Sequence, residues 1–157
     1  AHLRKGEIDF AKLYLARILT AAETSRETFR FNPATKLLGT VGGILEGEIL
    51  RTGGDLTGAI AAFERAVTLE DALQYDEPEP LPFAARHWLG AALLQTGLHA
   101  DAERVYREEL KDHPHNGWSL LGLQQALKGR GMSSLEVDEE LVASWARSEV
   151  WIRASRF

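Results

Sequence analysis

The run Trp88-Leu89-Gly90-Ala91-Ala92-Leu93-Leu94-Gln95-Thr96-Gly97, followed by Ala102-Glu103-Arg104-Val105-Tyr106, decides how this chain folds. Ala84, Trp88, Leu89, Ala92 and Leu93 recur at helical spacing, and Ala102, Val105, Tyr106 and Leu110 resume the pattern beyond Gly97. Two amphipathic helices are predicted, with Gly97 supplying the left-handed residue that closes the first. The signature returns along the chain. A shift of 43 residues brings Gly47 onto Gly90, Leu50 onto Leu93, Gly54 onto Gly97, Ala59 onto Ala102 and Phe63 onto Tyr106. A shift of 34 brings Leu89 onto Leu123, Leu93 onto Leu127 and Gly97 onto Gly131. A shift of 48 brings Gly6 onto Gly54, Ala11 onto Ala59, Leu15 onto Phe63 and Ile18 onto Ala66. Coincidences of matching chemical type at fixed offsets read as an internal repeat.

The unequal offsets locate two insertions. Residues 74–82 hold three prolines, which no helix interior accepts. The other extra length falls between Glu23 and Lys36, where Asn32-Pro33 reads as an N-cap followed by a first-turn proline. A second apolar stripe, Leu37, Leu38, Val41, Ile44, Leu45, predicts a helix, and Ala59, Ile60, Phe63, Ala66, Val67 predicts its partner across Gly53-Gly54. Gly129-Arg130-Gly131 closes another helix. Beyond it, Ser133 with Glu136 forms a capping box and Met132 on Val137 a hydrophobic staple. No segment alternates as a strand does, so the expectation is an all-α chain. The expected division is 1–22 (second helix of a truncated repeat), 23–39 (insertion and helix start), 40–73 (repeat), 74–82 (acidic insertion), 83–116 (repeat), 117–150 (repeat) and 151–157 (tail).

The 34-residue helix-turn-helix unit resembles the tetratricopeptide repeat (TPR) family, best over Phe83–Asn116. Leu89-Gly90 matches the Leu-Gly pair, Leu93 the large position, Gly97 the turn, Ala102 the alanine, Tyr106 the aromatic and Pro114 the closing proline. Arg86 stands in place of a bulky residue and Glu109 in place of the second alanine. The unit from Thr40 to Leu73 matches without the proline. The one from Gly117 matches at Leu123, Leu127 and Gly131, its second helix one residue out of step. This resemblance implies an α-solenoid of antiparallel helix pairs in a right-handed superhelix, whose units must stack to bury their apolar faces. Glu7 to Ala22 then reads as the remnant of a repeat with others upstream, since Ala1 is not an initiator and Met132 is the sole methionine. Ser148 to Phe157, with Trp151 and Phe157, is expected to cap the other end. The Tyr75-Asp76-Glu77-Pro78 segment and the Ala-Ser-Arg-Phe ending are similar to uncharacterised bacterial TPR proteins.

Composition excludes several classes. Across 157 residues, 45% apolar and 26% charged content is that of a folded domain. The net charge of -5 argues against nucleic acid, whose binding needs a basic surface. No apolar run approaches a membrane span, so a soluble chain is expected, with the cytoplasm favoured. Zero cysteines remove disulfides, thiolate metal sites and a cysteine nucleophile.

Motifs for chemistry are scarce. Gly39, Gly42 and Gly43 precede no Lys-Ser/Thr and follow no strand, so close helix packing accounts for them better than a phosphate loop. There is no G-x-S-x-G elbow and no H-E-x-x-H. Glu109 lies one helical turn before His113, with His115 beyond, but a zinc site wants more convergent ligands, and the expectation is no metal and no cofactor. Residues 66–85 hold five acidic side chains and no basic ones. They read as a solvated, proline-stiffened loop or as a docking patch for a basic partner through Tyr75, Asp76 and Glu77; the alternative for Tyr75 is an anchor tucked under the loop.

The TPR resemblance places the first helix of each unit on a concave face. By matched position that face is Val41, Ile44, Glu48, Ala84, His87, Ala91, Leu94, Trp118, Leu121 and Gln125. TPR proteins that clamp a peptide carboxylate present lysine, arginine and asparagine there, whereas this chain has Ile44 and His87. The expected function is a non-catalytic scaffold binding a peptide or partner segment of unknown identity in the groove. The alternatives are a small-molecule-binding accessory module and a self-association module acting through Leu3 and Leu15.

Overall fold

The computed structural model describes residues 2–150 and 152–156. The chain is all-α, with helix over 68% of its length. In order, the described helices are α1 (Ile8–Thr24), α2 (Ala34–Thr52), α3 (Leu56–Asp71), α4 (Ala85–Gln95), α5 (His99–Asp112), α6 (Gly117–Gly129) and α7 (Leu135–Trp145). They fall into two compact units, residues 1–85 and 86–157.

In the first unit α2 is the central helix, packed between α1 and α3. Small residues make that possible. A methyl group added to Gly47 would sit 2.3 Å from the Phe63 ring of α3, and one on Gly42 would sit 3.2 Å from Ile18 of α1. The clustered glycines are therefore packing surfaces. Gly39, Gly43 and Gly47, four residues apart, share the helix stripe that faces α3. The α2–α3 turn is closed by Gly54 alone in the left-handed region (φ 89°), Gly53 remaining right-handed. Asp55 caps α3 by accepting a hydrogen bond from the Gly58 amide at 2.8 Å.

The interval between α1 and α2 departs from expectation. Thr28–Phe29 (β1) pairs antiparallel with Asn32–Pro33 (β2) in a two-residue hairpin. Pro33, not Asn32, is the N-cap of α2. Asn32 is fully buried, and its amide is committed elsewhere. Its Oδ1 accepts from the Gln74 backbone amide at 2.7 Å, and its Nδ2 donates to the Gln74 carbonyl at 3.0 Å.

In the second unit Tyr106 of α5 lies between two glycines. A methyl group on Gly90 of α4 would be 2.3 Å from its ring, and one on Gly122 of α6 only 2.1 Å. The ring is wholly buried, and its hydroxyl pairs with Ser155 of the tail in a short hydrogen bond. Burial also pushes the phenol well above its ordinary range, so it stays protonated. The tail thus bonds the core through Ser155, while Trp151 and Phe157, the residues expected to cap this end, lie outside the described residues. Asn116 caps α6 by accepting from the Trp118 and Ser119 amides at 3.0 and 3.2 Å. Ser134, one residue later than expected, is the N-cap of α7. Its hydroxyl bonds Asp138 at 3.1 Å, which displaces the expected Ser133–Glu136 box, and Met132 is left exposed.

Candidate functional site

The ten residues expected to form one face are divided between the units. Val41, Ile44, Glu48 and Ala84 belong to the first, and His87, Ala91, Leu94, Trp118, Leu121 and Gln125 to the second. Within the first unit Ile44 is buried, while Val41 and Glu48 are half-buried, Glu48 holding Arg51 at 2.8 Å. Ala84, just ahead of α4, is half-buried.

The second unit brings α4 and α6 together at His87. Its Nε2 lies 3.1 Å from Ser119 Oγ, and its ring centroid is 6.3 Å from that of Trp118. Trp118 in turn meets Trp145 of α7 edge-on at 5.3 Å. Ala91, Leu94, Trp118, Leu121 and Gln125 are all half-buried. Trp118, Leu121 and Gln125 follow the i, i+3, i+7 spacing of one helix face. His87 itself is only 2% exposed, so it supports this face from beneath.

Under the face is a polar cluster that sequence reasoning only half found. Glu109 Oε1 lies 2.9 Å from His113 Nδ1 and 3.7 Å from His87 Nε2, and both Glu109 and His87 are buried. Burial pushes His87 down to about 4, the nearby His113 adds to this, and a hydrogen bond with Asn116 opposes it. Burial pushes the Glu109 carboxyl up, against the pull of His113 and Arg86. The signal for the cluster was present in the two departures from the TPR pattern. Arg86 and Glu109 replace an expected bulky residue and an alanine, and they answer each other electrostatically.

Ser119, His87 and Glu109 are the residue types of a hydrolytic triad, but the geometry is not that of one. A catalytic histidine turns opposite ring nitrogens to its serine and its carboxylate. Here the same Nε2 faces both, and Ser119 is 0% exposed. The arrangement can neutralise buried polar groups in a core; it cannot present a nucleophile to a substrate. His115 is exposed, and among the described residues no group of three or more histidine or acidic side chains is arranged to hold a metal ion.

The insertion is built differently from expectation. Tyr75 does not tuck under: it is 80% exposed, its hydroxyl donating to Glu77 at 2.9 Å. Asp76 is the buried member. Its Oδ1 pairs with Arg30 of the hairpin at 3.0 Å and accepts from the Glu77 amide at 2.9 Å. The Arg30 guanidinium also donates to the Glu77 carbonyl at 3.1 Å. Much of the negative charge at Asp76 is therefore met within the chain, by a residue that sequence reasoning did not single out.

Two further surfaces stand out. On α1, Phe10, Leu13 and Tyr14 are exposed, whereas Leu3 and Leu15, expected to mediate self-association, are half-buried. Among α5, α6 and α7 an open cleft of about 310 Å³ has Leu110, Leu123 and Val137 as its apolar lining and Arg107, Lys111, Glu136 and Glu140 as its charged lining. Among the described residues no helix is long and apolar enough to cross a membrane. No family model matches the chain, and neither a curated protein nor a solved structure matches it.

Proposed function

We propose that the chain is a TPR-like, non-catalytic scaffold that receives a peptide or a partner segment on the first helices of its hairpins. The observation that carries this reading is one contact made twice: an aromatic ring from the second helix seated against a glycine of the first, at Gly47–Phe63 and at Gly90–Tyr106. That contact commits the second helices to internal packing and leaves the remaining face of the first helices for a ligand. In the second unit this face is Ala91 and Leu94 with Trp118, Leu121 and Gln125; in the first it is Val41 and Glu48. Half-buried apolar residues around a tryptophan are the usual composition of an interaction hot spot.

The test is affinity capture from a lysate of the source cells, with the chain beside a copy carrying Leu94→Ala, Leu121→Ala and Gln125→Ala. A specific protein retained by the first and lost by the second, at equal melting temperature, supports the reading. Equal retention by both, or none by either, sinks it.

A second reading is favoured by α1. A helix apolar around most of its circumference belongs against another surface, and Phe10 and Leu13 face solvent. Self-association through α1 requires a mass that rises with concentration in sedimentation and that falls to the monomer in Phe10→Ser/Leu13→Ser.

A further inference from the structure

The hairpin and the proline-rich insertion lie more than forty residues apart in sequence, yet they are stitched together at two successive points. Asn32 holds Gln74 through both its amide oxygen and its amide nitrogen. Arg30 holds Asp76, the Glu77 carbonyl at 3.1 Å and the Pro78 carbonyl at 3.5 Å. The residue between the two hairpin anchors is Phe31; the residue between the two insertion anchors is Tyr75. Each is the middle of a three-residue segment whose ends are fixed to the other segment. Both nevertheless point to water, Phe31 at 63% and Tyr75 at 80% exposure, with Phe29 beside them at 53%.

Arg30 adopts a left-handed φ of 54°, uncommon for a side-chain-bearing residue. Such a conformation persists where the surroundings over-determine it, and here three groups bonded to the Arg30 side chain, Asp76 and the Glu77 and Pro78 carbonyls, help to hold it. Of the anchors Asn32 and Asp76 are buried, and the aromatics are not, so the lock fixes the backbone that carries Phe31 and Tyr75 without covering their rings. Rings carried on a fixed backbone lose less entropy on binding. Aromatic side chains are also the type most enriched in interaction surfaces.

Charge selects the occupant. Across residues 23–36 and 66–85 there are seven acidic side chains and three basic ones, and one of the three, Arg30, is committed to Asp76. Among the described residues the second, buried oxygen of Asp76 has no hydrogen-bond donor. A cation beside carboxylates and on the face of an aromatic ring gains from both.

We propose that the hairpin tip and the insertion form a preorganised docking platform for a basic segment of a partner protein. Phe29, Phe31 and Tyr75 contact its arginine or lysine side chains, and the acidic insertion supplies the complementary charge. This surface is separate from the helix faces of the scaffold reading and stands or falls apart from it.

The probe is a fluorescein-labelled octapeptide alternating arginine and alanine, with a control that has glutamate for arginine. Anisotropy is read on the full chain at low and moderate salt. The arginine peptide should bind and the glutamate peptide should not. Phe31→Ala/Tyr75→Ala should weaken binding about tenfold, summing two exposed cation–aromatic contacts, at an unchanged melting temperature because both side chains face solvent. Arg30→Gln discriminates further. It makes the surface more acidic, so diffuse attraction alone would tighten binding, whereas loss of the lock should weaken it. No binding of the arginine peptide, full binding by the double aromatic variant, or tighter binding by Arg30→Gln would each overturn the proposal.

Discussion

Phe63 and Tyr106 stand sixteen residues after Gly47 and Gly90, yet the two rings are used differently. Phe63 is a purely apolar wedge between α3 and α2. Tyr106 meets glycines on two helices, α4 and α6, and carries a hydroxyl that reaches the tail at Ser155. One oxygen atom therefore separates a ring that fills a hairpin from one that also holds the C-terminal segment against the core. The second unit adds a cluster of buried His87 and Glu109 with half-buried His113, and no counterparts of His87 and Glu109 occur at the matching places of the first, where Ile44 and Ala66 lie. The repeat supplies a shared shape, and the polar residues individualise each unit.

Removing the rings breaks the comparison most severely. Phe63→Ala and Tyr106→Ala should each cost about 3–5 kcal/mol, as deletion of a buried aromatic usually does. Urea unfolding should show Tyr106→Ala as the worse, because the cavity opens between three helices rather than two. Separate probes for each unit are needed, since two compact units need not unfold as one.

Next in size is a pH effect confined to the second unit. Folding depresses His87 from 6.5 to about 4, so between those values the unfolded chain binds the extra proton. Stability should fall as pH drops through that window, by about 3 kcal/mol in full. Glu109 acts in the opposite sense. Its raised carboxyl favours the folded state at acid pH, and that contribution is lost as pH rises through its folded value. Melting temperature against pH in His87→Gln should therefore lose the decline between 6.5 and 4, whereas a first-unit substitution such as Ile44→Val should leave that decline intact.

Smaller effects come from the glycines. Gly47→Ala, Gly90→Ala and Gly122→Ala improve helix propensity by about 1 kcal/mol, but each forces a methyl group onto a buried ring. The net loss should be about 1–2 kcal/mol from overpacking, with Gly122→Ala the most harmful because its ring is already fixed by Gly90. Exchanging the rings gives the finest comparison. Tyr106→Phe leaves Ser155 without its partner and should cost about 1 kcal/mol; Phe63→Tyr adds a hydroxyl to a wholly buried ring and should cost about 1–3 kcal/mol.

The helix pairs, with the glycine and aromatic positions that recur in them, were legible in the sequence because their information is local and repeated. Gly47 with Phe63 and Gly90 with Tyr106 keep one spacing, and that spacing survives into contact. What the chain does between helices was not legible for the opposite reason. Two-residue strands are too short to alternate, so Thr28–Phe29 and Asn32–Pro33 give no periodic signal. Asn32 before a proline carries the chemistry of a helix cap, and only the distant Gln74 backbone diverts it. Of the expected site, Trp118, Leu121 and Gln125 share a partly open helix face, but His87 and Ile44 lie below the surface. A residue's place on a helix can be read from its number, whereas its depth depends on neighbours such as Ser119 and Glu109 that periodicity does not name.

The hydrogen bonds around Asn32 have a further consequence, for the timing of local opening. A helical hairpin is closed at its turn and tends to fray at its free ends. In α2–α3 the free ends are joined as well: Asn32 holds Gln74, and Lys36 donates to the Ala72 carbonyl at 2.7 Å just past the last turn of α3. The hairpin is thus a closed ring of contacts with no loose end from which to unzip. Its terminal amides should exchange with solvent only when the whole hairpin opens, at rates near those of its centre, whereas α1 and α7, without such a clasp in the described structure, should show the usual gradient from slow middle to fast tips.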